Sequence, residues 1–359
     1  MIEARRESRS RVRVEVGGFT DVSAGTWDAL AEGSGNVFAT REWLTLWWRH
    51  FGTGEALVIR AFARDRRLLA LIPLYRWSTR PLQVVRFLGH GSGDELGPIA
   101  VRGNQVEAAQ SIRAALAELP WEWDVLVGEH LPGGGWDRLL DGRLLRRHAC
   151  PVLRLRGQSW ESFLAARSRH FRQQVRWRER RLARDHALRF RLADDPRRLD
   201  EDLDLLFELH AARWNGARSA FGGEREAFQR EFARCAFERG WLRLWFLELN
   251  ETPVAAWYGF RFGDRASFYQ SGRDPTYDTL SVGSALIAHS IRTALEDGVA
   301  EYCFLQGDDA YKYRFTSDDP GLETVALART ALGRLAVAGA ATTRRLVRLP
   351  AGVRGPLGL

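Results

Sequence analysis

Gly272-Arg273-Asp274-Pro275-Thr276-Tyr277-Asp278-Thr279-Leu280-Ser281-Val282-Gly283-Ser284-Ala285 stands between a run of strands and a helix, and the fold turns on how it is read. Upstream, Trp241 to Leu249, Val254 to Phe262 and Ala266 to Ser271 are apolar segments joined by short turns at Asn250-Glu251-Thr252-Pro253 and Gly263-Asp264, the pattern of an antiparallel meander. Downstream, a helix runs from Ser281 to about Glu296, stops at Asp297-Gly298 and yields to a strand over Glu301 to Leu305. The helix start is bare of bulk. Its first amides have no partner within the helix and the dipole is positive there, so an anion such as a pyrophosphate is stabilised, and Gly283 lets it come close to the backbone.

The strand over Glu301 to Leu305 is followed by Gln306-Gly307-Asp308-Asp309-Ala310-Tyr311-Lys312-Tyr313-Arg314-Phe315. Lys312 is the only lysine in the chain, all other basic side chains apart from histidine being arginine. Lysine carries a compact, tunable charge where arginine carries a fixed planar one, so Lys312 is a candidate for chemistry, against the plain alternative of a biased composition. A last strand is expected over Glu323 to Ala328, closing this half.

Toward the amino terminus, the helix Leu199 to Trp214 places Leu203, Phe207, His210 and Trp214 on one inward face. A histidine there is either a satisfied core residue or a base near neutral pH. The loop Asn215 to Gly223 has a mobile composition, and another helix follows from Glu224 to a glycine cap at Gly240. A strand at Leu188 to Leu192 precedes them. Ser159 to Asp185 reads as one long helix with eight arginines between Arg167 and Arg184, either a solvated face or a site for phosphates.

The first half alternates helix and strand: a strand at Arg11 to Val16, a helix from Ser23, a Trp-rich helix from Arg41 to His50, and a hairpin of Ala56 to Ala63 with Leu68 to Tyr75. Val84 to Leu88, a glycine-rich loop at Gly89 to Asp94, a helix from Asn104 to Leu119 and strands at Trp123 to Val127 and Cys150 to Leu155 complete it. The loop lacks the G-K-[ST] ending of a phosphate-binding P-loop. His90 reads as an ordinary loop residue.

With 359 residues, 45% hydrophobic and 27% charged, the chain suits two globular domains. We place an amino-terminal domain at 1–155, a second at 156–330 and a helix with a flexible tail at 331–359. The net charge of +8 attracts phosphates, nucleic acid or an anionic membrane. Cys150, Cys235 and Cys303 are too few and too scattered for a disulfide framework, and no cluster has metal-ligand spacing, so no metal is expected. The opening MIEARRESRS runs into no apolar core of a signal peptide, so a cytoplasmic location is expected, with the inner face of the membrane as an option. Ala331 to Leu349 ends in Arg344, Arg345 and Arg348 and is a packing helix or a peripheral membrane contact.

The order of meander, glycine-marked helix, strand, aromatic segment and final strand resembles the acyl-CoA-binding half of the GNAT (Gcn5-related N-acetyltransferase) fold. His210 to Trp214, Tyr277 to Ser284, and Leu305-Gln306-Gly307 followed by Tyr311-Lys312 resemble the CelD-type acetyltransferases of cellulose biosynthesis and, more distantly, the Fem-type aminoacyltransferases of peptidoglycan bridges. Phe38 to Trp43 and Leu71-Ile72-Pro73-Leu74 resemble the first of two GNAT-like units in those families. The resemblance implies an α/β (α+β) fold of tandem GNAT-like domains, with mixed, largely antiparallel sheets flanked by helices.

It also implies an acyltransferase that moves an acyl group, acetyl first among them, from acetyl-CoA or another acyl-CoA to an amine or hydroxyl of a small-molecule, glycan or lipid-linked acceptor. Such a precursor belongs to the cell envelope or a polysaccharide. The donor contacts carried over are Ser281, Val282, Gly283, Ser284, Ala285 and Tyr269, and the catalytic candidates are Lys312, Tyr311, His210 and Asp308. In the usual GNAT pattern Gln or Arg stands three residues before the first glycine of the pyrophosphate loop; here Leu280 stands there. The alternatives are an aminoacyl-tRNA donor, which gives the arginine helix a partner, and a noncatalytic GNAT-like binding module.

Overall fold

A computed structural model describes residues 12–79, 81–214 and 220–346. The expected signal-free amino terminus, most of the loop after Trp214 and the tail from Pro350 lie outside those residues. The chain forms two compact units, 149–319 making one and the stretches before and after it the other.

The first stretch supplies β1 (Arg13–Glu15), α1 (Ala24–Ser34), α2 (Arg41–Phe51), β2 (Ala56–Phe62), β3 (Leu68–Thr79), β4 (Leu82–Phe87), β5 (Ile99–Ala100), α3 (Gln105–Ala117), β6 (Val125–Pro132), α4 (Trp136–Leu140) and β7 (Arg143–His148). The Trp-rich face of α2 is core, with Trp43, Leu44 and Trp47 buried, and the helix is started by Thr40, whose hydroxyl accepts from the Trp43 amide. Strand β4 lies parallel to β6, with α3 in the connection between them, and Val84 opposite Val125.

The second unit contains β8 (Val152–Arg154), α5 (Trp160–Ala165), α6 (Arg169–Asp185), β9 (Leu188–Leu192), α7 (Leu199–Trp214), α8 (Glu224–Glu238), β10 (Leu242–Leu249), β11 (Thr252–Phe262), β12 (Arg265–Arg273), α9 (Val282–Glu296) and β13 (Glu301–Cys303). Its six strands run in the order β8-β13-β12-β11-β10-β9, every pair antiparallel except β12 with β13. The long arginine helix is in fact two. Ser168 leaves the helical conformation and its hydroxyl caps the Phe171 amide, so the chain bends between α5 and α6 without glycine or proline.

Two strand placements differ from the sequence expectation. Strand β8, expected in the first half, pairs with β13 of the second unit, Val152 standing opposite Cys303. Conversely, β14 (Leu322–Ala328) does not close the second unit; it lies between β6 and β7, antiparallel to both. The closing helix α10 (Ala331–Leu346) packs on that same first-unit sheet through Val337. Apolar alternation gives a strand its extent and its faces but does not name its partner.

Both units therefore repeat one motif: a strand, a helix and a second strand parallel to the first, β4-α3-β6 and β12-α9-β13. In the first unit the seam is filled. Arg86 at the end of β4 is fully buried, its Nη1 lies 2.7 Å from Glu129 Oε2 on β6, and its guanidinium stacks on Trp77. His90 reaches the same carboxylate at 3.2 Å and its other ring nitrogen meets the Tyr75 hydroxyl at 3.2 Å.

Candidate functional site

In the second unit the seam is open. Strands β12 and β13 are paired only from Arg265 to Ser267, whereas β12 runs on to Arg273. At that free end lies a cleft of about 380 Å³. Its walls come from Trp257 on β11, Ser271 to Arg273 on β12, Ser281 to Ser284 at the start of α9, Arg213 of α7 and the ring of Tyr311.

Three features shape it. Ser281 takes the left-handed conformation at φ 56°, turning the chain sharply out of the 3₁₀ turn Pro275–Leu280 into α9, and neither a side-chain cap nor an acidic residue occupies the first turn. The mouth of a 15-residue helix thus faces the cleft with its amides available to an anion. At Gly283 an added Cβ would meet nothing nearer than Arg273 Cδ at 3.8 Å, so the backbone there is open to a ligand. At Gly272 the reverse holds: a Cβ would lie 2.4 Å from the His210 amide nitrogen, so this glycine lets α7 pack directly on β12 and brings Arg213 over Ser271.

The cleft is cationic. Arg213 donates to the Ser271 hydroxyl and to the Tyr311 phenol. Arg273 grips Asp278 with two nitrogens, at 2.5 and 3.3 Å, which ties the end of β12 to the turn before α9. That guanidinium holds the Asp278 carboxyl below the usual carboxylate range. Tyr311 packs against Phe268, and burial, aided by the nearby Asp309 charge, pushes its hydroxyl up to about 12 even though Arg213 opposes the shift. At neutral pH Tyr311 is therefore a proton donor and not a base.

The expected site residues divide. Ser281, Val282, Gly283, Ser284 and Tyr311 meet in the cleft. Ala285 is turned to the opposite side of α9. Tyr269 is also turned away: it stands at a bulge in β12, where Tyr258 opposes Gln270 and Gly259 opposes Phe268, and its hydroxyl accepts from Gln229 on α8.

His210 is not placed to act as a base. It is buried, its Nδ1 is 3.0 Å from the Ser271 carbonyl, and its Nε2 accepts from the Ala220 amide at 3.1 Å. A neutral ring satisfies both contacts and keeps no lone pair for a substrate. Burial also lowers its pKa. Lys312 is likewise spoken for. Its ammonium is 4% exposed and donates to the carbonyls of Gln306 at 2.7 Å and Gly307 at 3.3 Å, with Asp309 at 3.4 Å. It braces the loop that delivers Tyr311. Asp308 is exposed and lies outside the cleft lining.

Residues 169–313 match the family described as acetyltransferase (GNAT) domain. The second unit thus carries a GNAT-type acyltransferase domain. Among solved structures, FemX shares 12% identity and a TM-score of 0.62 over 86% of this chain and 96% of its own. A conserved protein of unknown function from Bacteroides thetaiotaomicron shares 14% and 0.55 over 86% and 98%. L-PGS from Bacillus licheniformis shares 15% and 0.50 over 85% and 96%. At these identities the likeness is one of fold. No curated protein sequence matches the chain. No described helix is long and apolar enough to cross a membrane.

Proposed function

We propose that the second unit transfers an acyl group, acetyl first among them, from acyl-CoA to an amine or hydroxyl of a cell-envelope or polysaccharide precursor. The observation that carries this reading is the bare mouth of α9 opening into a cationic cleft beside Arg213 and Arg273. Those groups fit the pyrophosphate of a CoA thioester: amides and two guanidinium groups converge on one space, and Gly283 leaves room for close approach. The thioester supplies an activated carbonyl. Tyr311, kept protonated, gives its proton to the departing sulfur as the acceptor's nitrogen or oxygen bonds to the carbonyl carbon. Arg213 orients that phenol, and Arg273 with Asp278 fixes the turn that presents the helix start. The CelD-type resemblance supports the choice of acceptor.

The thermal midpoint with and without acetyl-CoA or a longer acyl-CoA tests this. A ligand at 100 times its Kd adds about 2.7 kcal/mol, and Gly283→Trp removes the gain by blocking the helix mouth. No shift with any acyl-CoA would overturn the reading.

A second reading, in which aminoacyl-tRNA is the donor, is favoured by the outer face of α6. There Arg169, Arg176, Arg180 and Arg184 are exposed around Trp177, which is itself 53% exposed. Retention on tRNA that weakens steeply with salt and with Arg176→Glu and Arg180→Glu would favour it over acyl-CoA.

A further inference from the structure

The side of α9 turned away from the cleft carries a second opening that acyl transfer does not use. It is a narrow slot of about 30 Å³ between α6 and α9, walled by the rings of Trp160, Phe171, Phe190 and Phe315. Ala285 and Ala288 keep the α9 wall low, so the slot stays open along the helix. Its bore suits a single methylene chain and is too narrow for a fused ring.

The rim has the opposite character. Arg178, Arg292 and Arg314 stand there with one carboxylate, Glu179. Glu179 is 3.9 Å from Arg292, which also pairs with Glu296 at 3.3 Å. Arg178 and Arg314 pair with no carboxylate among the described residues; Arg178 instead donates to Gln174 at 3.3 Å. Burial and the like charge of Arg314 both lower the pKa of Arg178. Two guanidinium groups held close together without a counter-charge, one of them half-buried, stabilise an incoming anion. Within the slot, His289 lies flat on Phe190 at 4.0 Å and edge-on to Trp245, and its Nε2 is buried without a hydrogen-bond partner. Buried polar atoms are almost always satisfied, so this one marks a place where the slot is incomplete by itself.

We propose that this slot binds a phosphate-bearing amphiphile, its alkyl or prenyl chain between the aromatic rings and its phosphate on Arg178 and Arg314. The site does not depend on the identity of the acyl donor. It gives the protein a hold on a lipid-linked molecule separate from the cleft at Ser281 to Gly283.

Calorimetric titration of the full chain with dodecyl phosphate, below its micellar concentration, is the test. Saturable binding is expected, weakened at least tenfold by Arg178→Gln with Arg314→Gln and lost with Ala288→Trp. Because Ala288→Trp can fail to fold, the rim variant is the deciding one, with its unchanged thermal midpoint as the control; undiminished binding by that variant overturns the proposal. Inorganic phosphate binding as tightly as dodecyl phosphate would reduce the site to an anion pocket, and dodecyl maltoside binding equally well would remove the role of the arginines; either overturns the proposal. So does displacement by acetyl-CoA, which would give the slot to the donor. If dodecyl phosphate binds while acetyl-CoA never shifts the midpoint, acyl transfer fails and the slot stands.

Discussion

The seams β4-α3-β6 and β12-α9-β13 have the same order and the same parallel pairing, and they have been put to different use. In the first, Arg86, Glu129, His90 and Tyr75 fill the space beside the strands, and Glu107 sits in the first turn of α3 where it opposes an anion. In the second, the strands part after Ser267 and Cys303, and a helix start without acidic residues faces two arginines. One topology thus serves as scaffold in one unit and as site in the other. The difference lies in a few side chains at the strand ends, which agrees with function residing in sites and not in folds.

This contrast can be broken from either side. The largest effect is expected from Glu129→Ala, which leaves the Arg86 cation buried without its partner; we expect a loss of about 3–5 kcal/mol in denaturant melts with acetyl-CoA affinity unchanged. Tyr311→Phe should do the opposite, leaving stability and donor affinity in place while kcat falls about 100-fold, as steady-state kinetics would show. Arg213→Ala and Arg273→Ala should each weaken donor binding by about 1.5–3 kcal/mol in titrations. Bulk at the corresponding start of α3, as in Val106→Trp, should leave it alone, and an effect there would mean that the first seam also binds the donor.

The smallest effect is one of pH. Burial holds the His289 pKa at about 4, against an ordinary 6.5. Between those values the unfolded chain binds a proton that the folded one does not, so stability falls as pH drops through that window, by at most about 1.4 kcal/mol per unit. His289→Phe should flatten part of that slope in melts at pH 4 to 7. The depressed His210 keeps the remainder.

Much of the second unit is legible in the sequence because its signals are local. The meander, the glycine-marked helix and the helix Leu199 to Trp214 all follow from spacing and turn residues, and Ser281 to Ser284 do reach a cleft. What the sequence hides is non-local. The exposed edge strand β7 has no apolar alternation to announce it, and the break at Ser168 rests on one hydroxyl. His210 is open to two readings from sequence because its partners, the Ser271 carbonyl and the Ala220 amide, are backbone groups that no side-chain pattern reveals. Lys312 stands out by its rarity, yet its rarity concerns loop geometry. Arg213 and Arg273 are hidden by the abundance of arginine, although the first ends the His210 helix and the second opens the approach to Ser281.

The return of β14 to an inner position between β6 and β7 bears on how the protein is made. While the ribosome adds residues 149–319, a delay of roughly 10–30 s at ordinary elongation rates, the first sheet lacks a central member and presents open edges. The inserted unit can fold in that interval, but the stretch synthesised first becomes complete last. A nascent chain stalled near Asp319 would therefore carry a finished acyltransferase unit tethered to an unfinished, aggregation-prone sheet.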